Sequence, residues 1–290
     1  IPAALFQPVV TETDEAAASA EKPKAEPPIR ITIKTAIKHG PLPGFSALAA
    51  GSETSTIEFD EPLRAKLAEA FGSDQPFDIR TTYNFVGGGR STFASKPFKL
   101  VLPGDTPESN ANLSGEPIEL VMEFSKGLAD YTVRGTAPGF TLSEADGSGL
   151  TVKGMAFDSQ LKRVFPDEPL LYAGSQKVTV AEINVNPGAA EQAEPKQKVA
   201  LKEIAYDVRM PVTGEFMDVI AKLGVNVVQV GEQNYGPANY DFSLKHLHGR
   251  KLATLSRGIT ALYAKPEVFA NQGQLVQAMA PLAAPLFALL

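Results

Sequence analysis

The sequence predicts an α+β, β-rich protein: an extended, twisted antiparallel sheet with three or four helices packed on its apolar face. Three observations carry this. Five segments alternate apolar and polar residues with period two, so each makes one dry and one wet face. Turn signals such as Gly87-Gly88-Gly89 and Asp146-Gly147 fall between alternating segments, where hairpins connect strands. Stripes with helical spacing are few and short.

Residues 1–28 form a flexible N-terminal segment, since from 11 to 28 they are rich in Ala, Glu, Lys and Pro with no apolar period. A first β-rich subdomain with one helix covers 29–102. Its first strand, 29–38, sets Ile29, Ile31, Ile33, Thr35 and Ile37 against Arg30, Thr32, Lys34, Ala36 and Lys38, the pattern of a half-buried strand. It ends in a structural turn made of His39, Gly40, Pro41 and Pro43, where proline removes a ladder donor and glycine permits positive φ. Residues 54–59 read as a strand. Asp60 then caps a helix with Pro62 in its first turn, Leu63, Leu67, Ala70 and Phe71 on one face, and Gly72 as its stop. Strands 77–86 and 91–102 flank the triple glycine, which makes it a hairpin turn, because a phosphate loop should open a helix.

A polar loop over 103–116 leads to a second β-rich subdomain, 117–265. Strands are expected at 117–125, 129–135, 149–157 and 169–172, with a hairpin at Asp146-Gly147. Residues 177–183 and 198–204 parallel each other. In both, apolar residues sit two apart and then jump three, at Val180 to Ile183 and Leu201 to Ile204. This predicts a long hairpin with a bulge or face switch in each arm. Helices are expected near 213–223, with Phe216, Val219, Ile220 and Leu223 as a stripe closed by Gly224, and near 250–264, with Leu252, Leu255, Ile259 and Leu262. Between them lie strand 225–230 and a strand face of Tyr240, Phe242, Leu244 and His246. Residues 266–290 form an apolar C-terminal helical segment, uncharged after Glu267, expected to pack on the sheet. Its Leu275, Met279, Leu282, Leu286 and Phe287 are a candidate surface for an apolar ligand or partner.

A chain of 290 residues with a net charge of −6 can bury a sizeable core but offers no basic cluster for nucleic acid. It contains neither Cys nor Trp, so disulfides and thiolate chemistry are excluded while the compartment stays open. No uncharged apolar run of membrane-spanning length is free of proline.

No catalytic or metal constellation emerges, and no cofactor is expected. His246 and His248 share a strand face, but a metal normally needs three or four ligands, and Asp241 lies on the other face. His39 before Gly-Pro reads as a turn residue. Glu182 and Glu203 could face each other across the long hairpin, with Lys177 and Lys202 near enough to neutralise them.

The order of features resembles the YdgA-like family of bacterial envelope proteins, a domain of unknown function. The residues that carry the resemblance are H-G-P-L-P at 39–43, the helix around 61–71, P-F-D-I-R-T from Pro76, and S-K-P-F-K-L at 95–100. L-Y-A-G-S-Q-K-V-T-V-A-E-I at 171–183 and Y-D-F-S-L-K-H-L at 240–247 continue it. The resemblance spans roughly residues 29 to 280. It implies a body in the bacterial periplasm, anchored to the inner membrane by an N-terminal helix in the full-length form. On that comparison the chain is a fragment without the anchor and the C-terminal part. The family carries no activity, cofactor or catalytic residue to transfer.

The leading reading is therefore a non-enzymatic cell-envelope protein with a structural or interaction role. The alternative is a periplasmic carrier or binder of lipid or another apolar ligand, and the third is a periplasmic hydrolase. Partners are an unknown protein or an apolar ligand, and self-association into a homo-oligomer is compatible with the apolar tail. A continuous apolar groove open to solvent favours the carrier; an unpaired apolar sheet edge favours binding by strand addition.

Overall fold

The computed structural model describes residues 30–42, 48–61, 63–104, 110–188, 197–263 and 277. In chain order they form β1 (Ile31–His39), β2 (Gly51–Phe59), α1 (Leu63–Phe71), β3 (Phe77–Tyr83), β4 (Gly89–Ser95), β5 (Phe98–Leu102), β6 (Ala111–Gly115), β7 (Glu119–Phe124), β8 (Asp130–Glu144) and β9 (Ser148–Arg163). There follow β10 (Tyr172–Pro187), β11 (Val199–Met210), β12 (Val212–Thr213), β13 (Phe216–Val230), β14 (Gln233–Tyr235), β15 (Ala238–His248) and α2 (Gly249–Tyr263).

All fifteen strands join one antiparallel sheet, whose main path runs β1-β2-β3-β4-β7-β8-β9-β10-β11-β13. β15 extends this path from β13, while β5 and β6 attach along β8. Because β4 pairs with β7, the ladder passes directly from residues 29–102 into residues 117–265. Both hairpin turns expected from sequence are present. The Asn84 side-chain oxygen accepts from the Val86 and Gly88 amides at the triple glycine, and Asp146 Oδ1 accepts from the Ser148 amide in the β8–β9 turn. Pro97 divides the expected strand 91–102 into β4 and β5, since proline cannot donate to a ladder.

The register sorts the side chains by chemistry. One row crosses nine strands as Ile79, Phe93, Leu120, Gly135, Phe157, Val178, Tyr206, Leu223 and Tyr240. The next row, on the opposite face, contains Arg134, Asp158, Lys177, Asp207, Lys222 and Asp241, alternating in sign on six successive strands. Opposite charges directly across a ladder are mildly stabilising; Arg134 and Asp158 lie 3.1 Å apart. The sheet is thus dry on one side and charged on the other.

A crease crosses β8 to β13. Pairing skips Pro138, Gly154, Ala181, Glu203 and Asn226 in register, one residue per strand. Gly154 and Glu203 have positive φ, +62° and +53°. This is the bulge or face switch expected from the three-residue jumps, extended over five strands. Beyond it the apolar rows resume as Phe98, Gly115, Phe140, Val152, Ile183, Leu201 and Val228, then Leu100, Leu113, Leu142, Leu150, Val185, Val199 and Val230. Phe71 of α1 contacts both Phe77, before the crease, and Phe98, beyond it. The dry face therefore stays on one side along the whole sheet.

Two α-helices occur among the described residues, not three or four. The helix expected at 213–223 is strand: β12 and β13 occupy it. Val219, Ala221, Leu223 and Val225 alternate there with Ile220, Lys222, Gly224 and Asn226. The helical stripe had recruited Ile220 from the opposite face, and Gly224, read as a helix stop, sits inside the ladder. The first strand is not half-buried either; all nine residues of β1 are exposed, with Ile33 at 65%. Period two places Ile31, Ile33 and Ile37 on the dry side, but alternation does not supply a second layer to cover it.

The packed core is small and lies at the α2 corner. Leu171, Ala173, Met217 and Ala253 are buried together, with Val164, Phe165, Met210, Val219 and Leu252 against them, and Leu247 and Leu255 form a second cluster. Leu252 and Leu255 of the expected α2 face pack inward, whereas Ile259 is exposed. At the other end, α1 rests on an aromatic group of Phe59, Phe71, Phe77, Phe93 and Phe98.

Candidate functional site

The dry face between the two helix corners is the candidate site. Its strands form because apolar residues, many of them β-branched or aromatic, recur at every other position, and those side chains pack well on a pleated surface. Gly135 gives Leu120 room to lean across the ladder, since a Cβ there would stand 2.2 Å from Leu120 Cδ2. At roughly 4.8 Å per strand, the Ile79–Tyr240 row is on the order of 40 Å across. Toward β15 it stays open to water: Val178, Tyr206, Leu223, Phe242 and Leu244 are exposed, and Tyr240 is 64% exposed. Beside α1 the face deepens into an open cleft of about 790 Å³ lined by Phe71, Phe98, Phe140 and Val152.

Polar groups gather on the dry side at β1–β4. The Tyr83 hydroxyl donates to Glu53 at 2.6 Å, Ser55 donates to the other Glu53 oxygen at 3.0 Å, and the Thr35 and Ser55 hydroxyls lie 3.2 Å apart. The Glu53 hydrogen bond, with burial, pushes the Tyr83 phenol up from its ordinary range. Thr81 and Ser91, in the same row as Glu53, pair at 3.0 Å. Farther along the face, Ser159 is buried and its Oγ has no hydrogen-bond partner among the described residues.

The residues singled out from sequence fall elsewhere. His39 ends β1 opposite Gly51. Gly40 adopts φ +113° and donates to the Ala50 carbonyl, while the Pro41 carbonyl accepts from the Ala49 amide. Pro43 lies outside the described residues, as do Leu275, Met279, Leu282, Leu286 and Phe287.

His246 and His248 both meet Phe216, the first stacked at 3.8 Å and the second edge-on at 5.6 Å. The His246 amide donates to Asp218 in a bulge between β13 and β15. His248 Nε2 is 3.9 Å from Glu215, which also neighbours Arg250; Arg250 pairs with Asp167 at 2.8 Å and covers Phe165. These contacts pin α2 to the sheet. Among the described residues no group of three or more His, Asp or Glu side chains is arranged to hold a metal.

Glu182 and Glu203 do not face each other. Glu182 opposes Lys153 and Lys202 on the wet face; its hydrogen bond from Asn184, then Lys153 and Lys202, holds its carboxyl below the usual carboxylate range. Glu203 sits in the crease and accepts from Asn226 at 2.7 Å. Lys177 belongs instead to the charged row, between Asp158 and Asp207. The dry face is not evident as a site from single strands, since the pattern looks like core until it is seen that no second layer of described residues covers it. The signal was present as the excess of alternating segments over helical ones able to cover them.

Among the described residues no helix is long and apolar enough to cross a membrane. A family model described as a bacterial protein of unknown function (DUF945) matches residues 7–290. No curated protein and no solved structure matches the chain.

Proposed function

The chain belongs to the DUF945 family of bacterial proteins of unknown function, and we propose that it is a non-enzymatic binder of an apolar, chain-like ligand, with lipid acyl chains as the class. The observation that carries this is the apolar row from Ile79 to Tyr240, continuous over nine strands and open to water at its β10–β15 end. Monomeric proteins rarely leave contiguous apolar surface of this extent without a use for it. Burial of apolar area is non-directional, so such a floor accepts chains of varied length and supplies affinity without a reaction centre.

The Glu53–Tyr83–Ser55 group gives an amphiphile a polar end to the same face. A place in the bacterial periplasm, held at the inner membrane in a longer form of the chain, completes the proposal, and the YdgA-like resemblance supports it. Fractionation of cells producing the full-length protein tests that part.

The binding experiment is purification from bacterial membranes, followed by native mass spectrometry and extraction of bound lipid. Lipid is expected to accompany the wild type. Val178→Glu with Tyr206→Glu, both on the exposed part of the floor, is expected to lose most of it with an unchanged far-ultraviolet spectrum. Equal lipid on both proteins, or none on the wild type, overturns the reading.

A further inference from the structure

The edges of the sheet are not equally protected. β5 is five residues long and lies between Pro97 and Pro103, and β15 is interrupted by the bulge at Asp218 before running into α2. β1 has neither proline nor bulge: its nine residues pair with β2 without a break, and no described strand lies beyond it. Natural edges of this length usually carry a charge, a bulge or a cover that prevents pairing. The two lysines within β1 point to the wet face, and Lys34 is already engaged by Glu58 at 2.7 Å.

Which backbone groups are free follows from the bonds at its ends. The Asp60 amide donates to the Arg30 carbonyl and the Gly40 amide to the Ala50 carbonyl. Even-numbered residues therefore turn their N–H and C=O toward β2. The odd residues Ile31, Ile33, Thr35, Ile37 and His39 turn theirs outward.

We propose that β1 is a homodimer interface, in which two copies pair antiparallel about a two-fold axis at Thr35. That register sets Ile33 against the partner copy's Ile37 and Ile31 against its His39, and aligns the outward groups of all five odd residues. On the wet face it sets Lys34 opposite Ala36 and Thr32 opposite Lys38. Sliding it by one step of the ladder instead opposes Lys34 to Lys34 or Lys34 to Lys38, and like charges directly across a ladder are destabilising. Directly opposed residues share a face, so the dry faces of the two copies become one surface. The pairing is isologous and closes at two, whereas β1 on a neighbour's β15 would propagate without end.

The test is sedimentation of the full chain, together with cross-linking. Wild type is expected to sediment at twice the chain mass. Thr35→Pro removes an outward N–H that makes no bond to β2, and proline is tolerated on an edge strand with that geometry; this variant is expected to sediment as a monomer with an unchanged far-ultraviolet spectrum. The chain has no cysteine, so Thr35→Cys introduces a unique thiol on the axis. Paired residues of this kind lie about 5.5 Å apart between Cα atoms, within the span a disulfide bridges. Thr35→Cys is expected to cross-link to a dimer on mild oxidation, and Ala36→Cys is not. A monomeric wild type, a dimer that survives Thr35→Pro, equal cross-linking at both positions, or assembly beyond two copies overturns the proposal.

Discussion

The two ends of this sheet are built from the same alternating pattern and held by different means. From β8 to β15 the main strands run 11 to 16 residues, and the α2 corner buries Leu171, Ala173, Met217, Leu247, Ala253 and Leu255. From β1 to β4 the strands run 7 to 9 residues, and the buried side chains reduce to a few small or polar ones, Ala49, Ala70, Pro76 and Thr81. That end relies on aromatic contacts around Phe77 and on the hydroxyl–carboxylate group at Glu53. A shared hydrophobic period thus gives two regions of unequal stability, because burial depends on what lies over the strand.

The sharpest test of that contrast is a matched pair of truncations. Met217→Ala, at a side chain 3% exposed, is expected to cost about 2–5 kcal/mol. Ile33→Ala, on an open face, should cost less than about 0.5 kcal/mol when measured on monomeric protein. Chemical denaturation of both variants decides it, and comparable losses would mean that β1 is covered.

The second prediction concerns the crease. Gly154 has φ +62°, and a Cβ there would stand 2.7 Å from the Cβ of Ala181. Gly154→Val should cost about 1–3 kcal/mol through strain at a special backbone conformation. An unmoved denaturation midpoint would show that the crease relaxes freely.

At the weaker end, Gly40 also holds a positive φ, but a Cβ there meets no described residue within 4 Å. Gly40→Val should cost about 1 kcal/mol from backbone strain alone. Hydrogen exchange should show the loss as faster opening of β1 and β2, with the α2 corner unaffected.

The smallest effect is alkaline. The Glu53 hydrogen bond and burial raise the Tyr83 phenol above its unfolded value. Its contribution is therefore fully present below the ordinary tyrosine pKa of about 10 and is lost as pH rises through the folded value. Tyr83→Phe should flatten that decline. An identical alkaline profile in both proteins would separate Tyr83 from the stability of this end.

The local rules of the sheet were legible in the residues. The three-residue jumps from Val180 to Ile183 and from Leu201 to Ile204 marked the crease, and Gly87-Gly88-Gly89 and Asp146-Gly147 marked hairpins that exist. Two things were not legible, for one physical reason. A spacing of three and four, as at Phe216, Val219, Ile220 and Leu223, fits a helix face as well as a bulged strand whose two faces both carry apolar residues. A period of two at Ile31, Ile33 and Ile37 specifies which side is dry without specifying what covers it. Both questions are settled by neighbours distant in sequence. The candidate site was hidden in the same way, because an open apolar floor and the inner wall of a sandwich have the same sequence.

The crease also sets a rule of length for the chain. β8, β9, β10, β11 and β13 each carry one unpaired residue at the same level, and the rows beyond it stay in step across the ladder only while all five do. Deleting a single one, such as Ala181, would leave Val180 and Ile183 two apart, which plain alternation keeps on one side, but every residue beyond it would slide one place along the ladder, out of step with β9 and β11. Length changes within this block are therefore tolerated only as a matched set, whereas the hairpin tips beyond the ladder are free to lengthen or shorten one at a time.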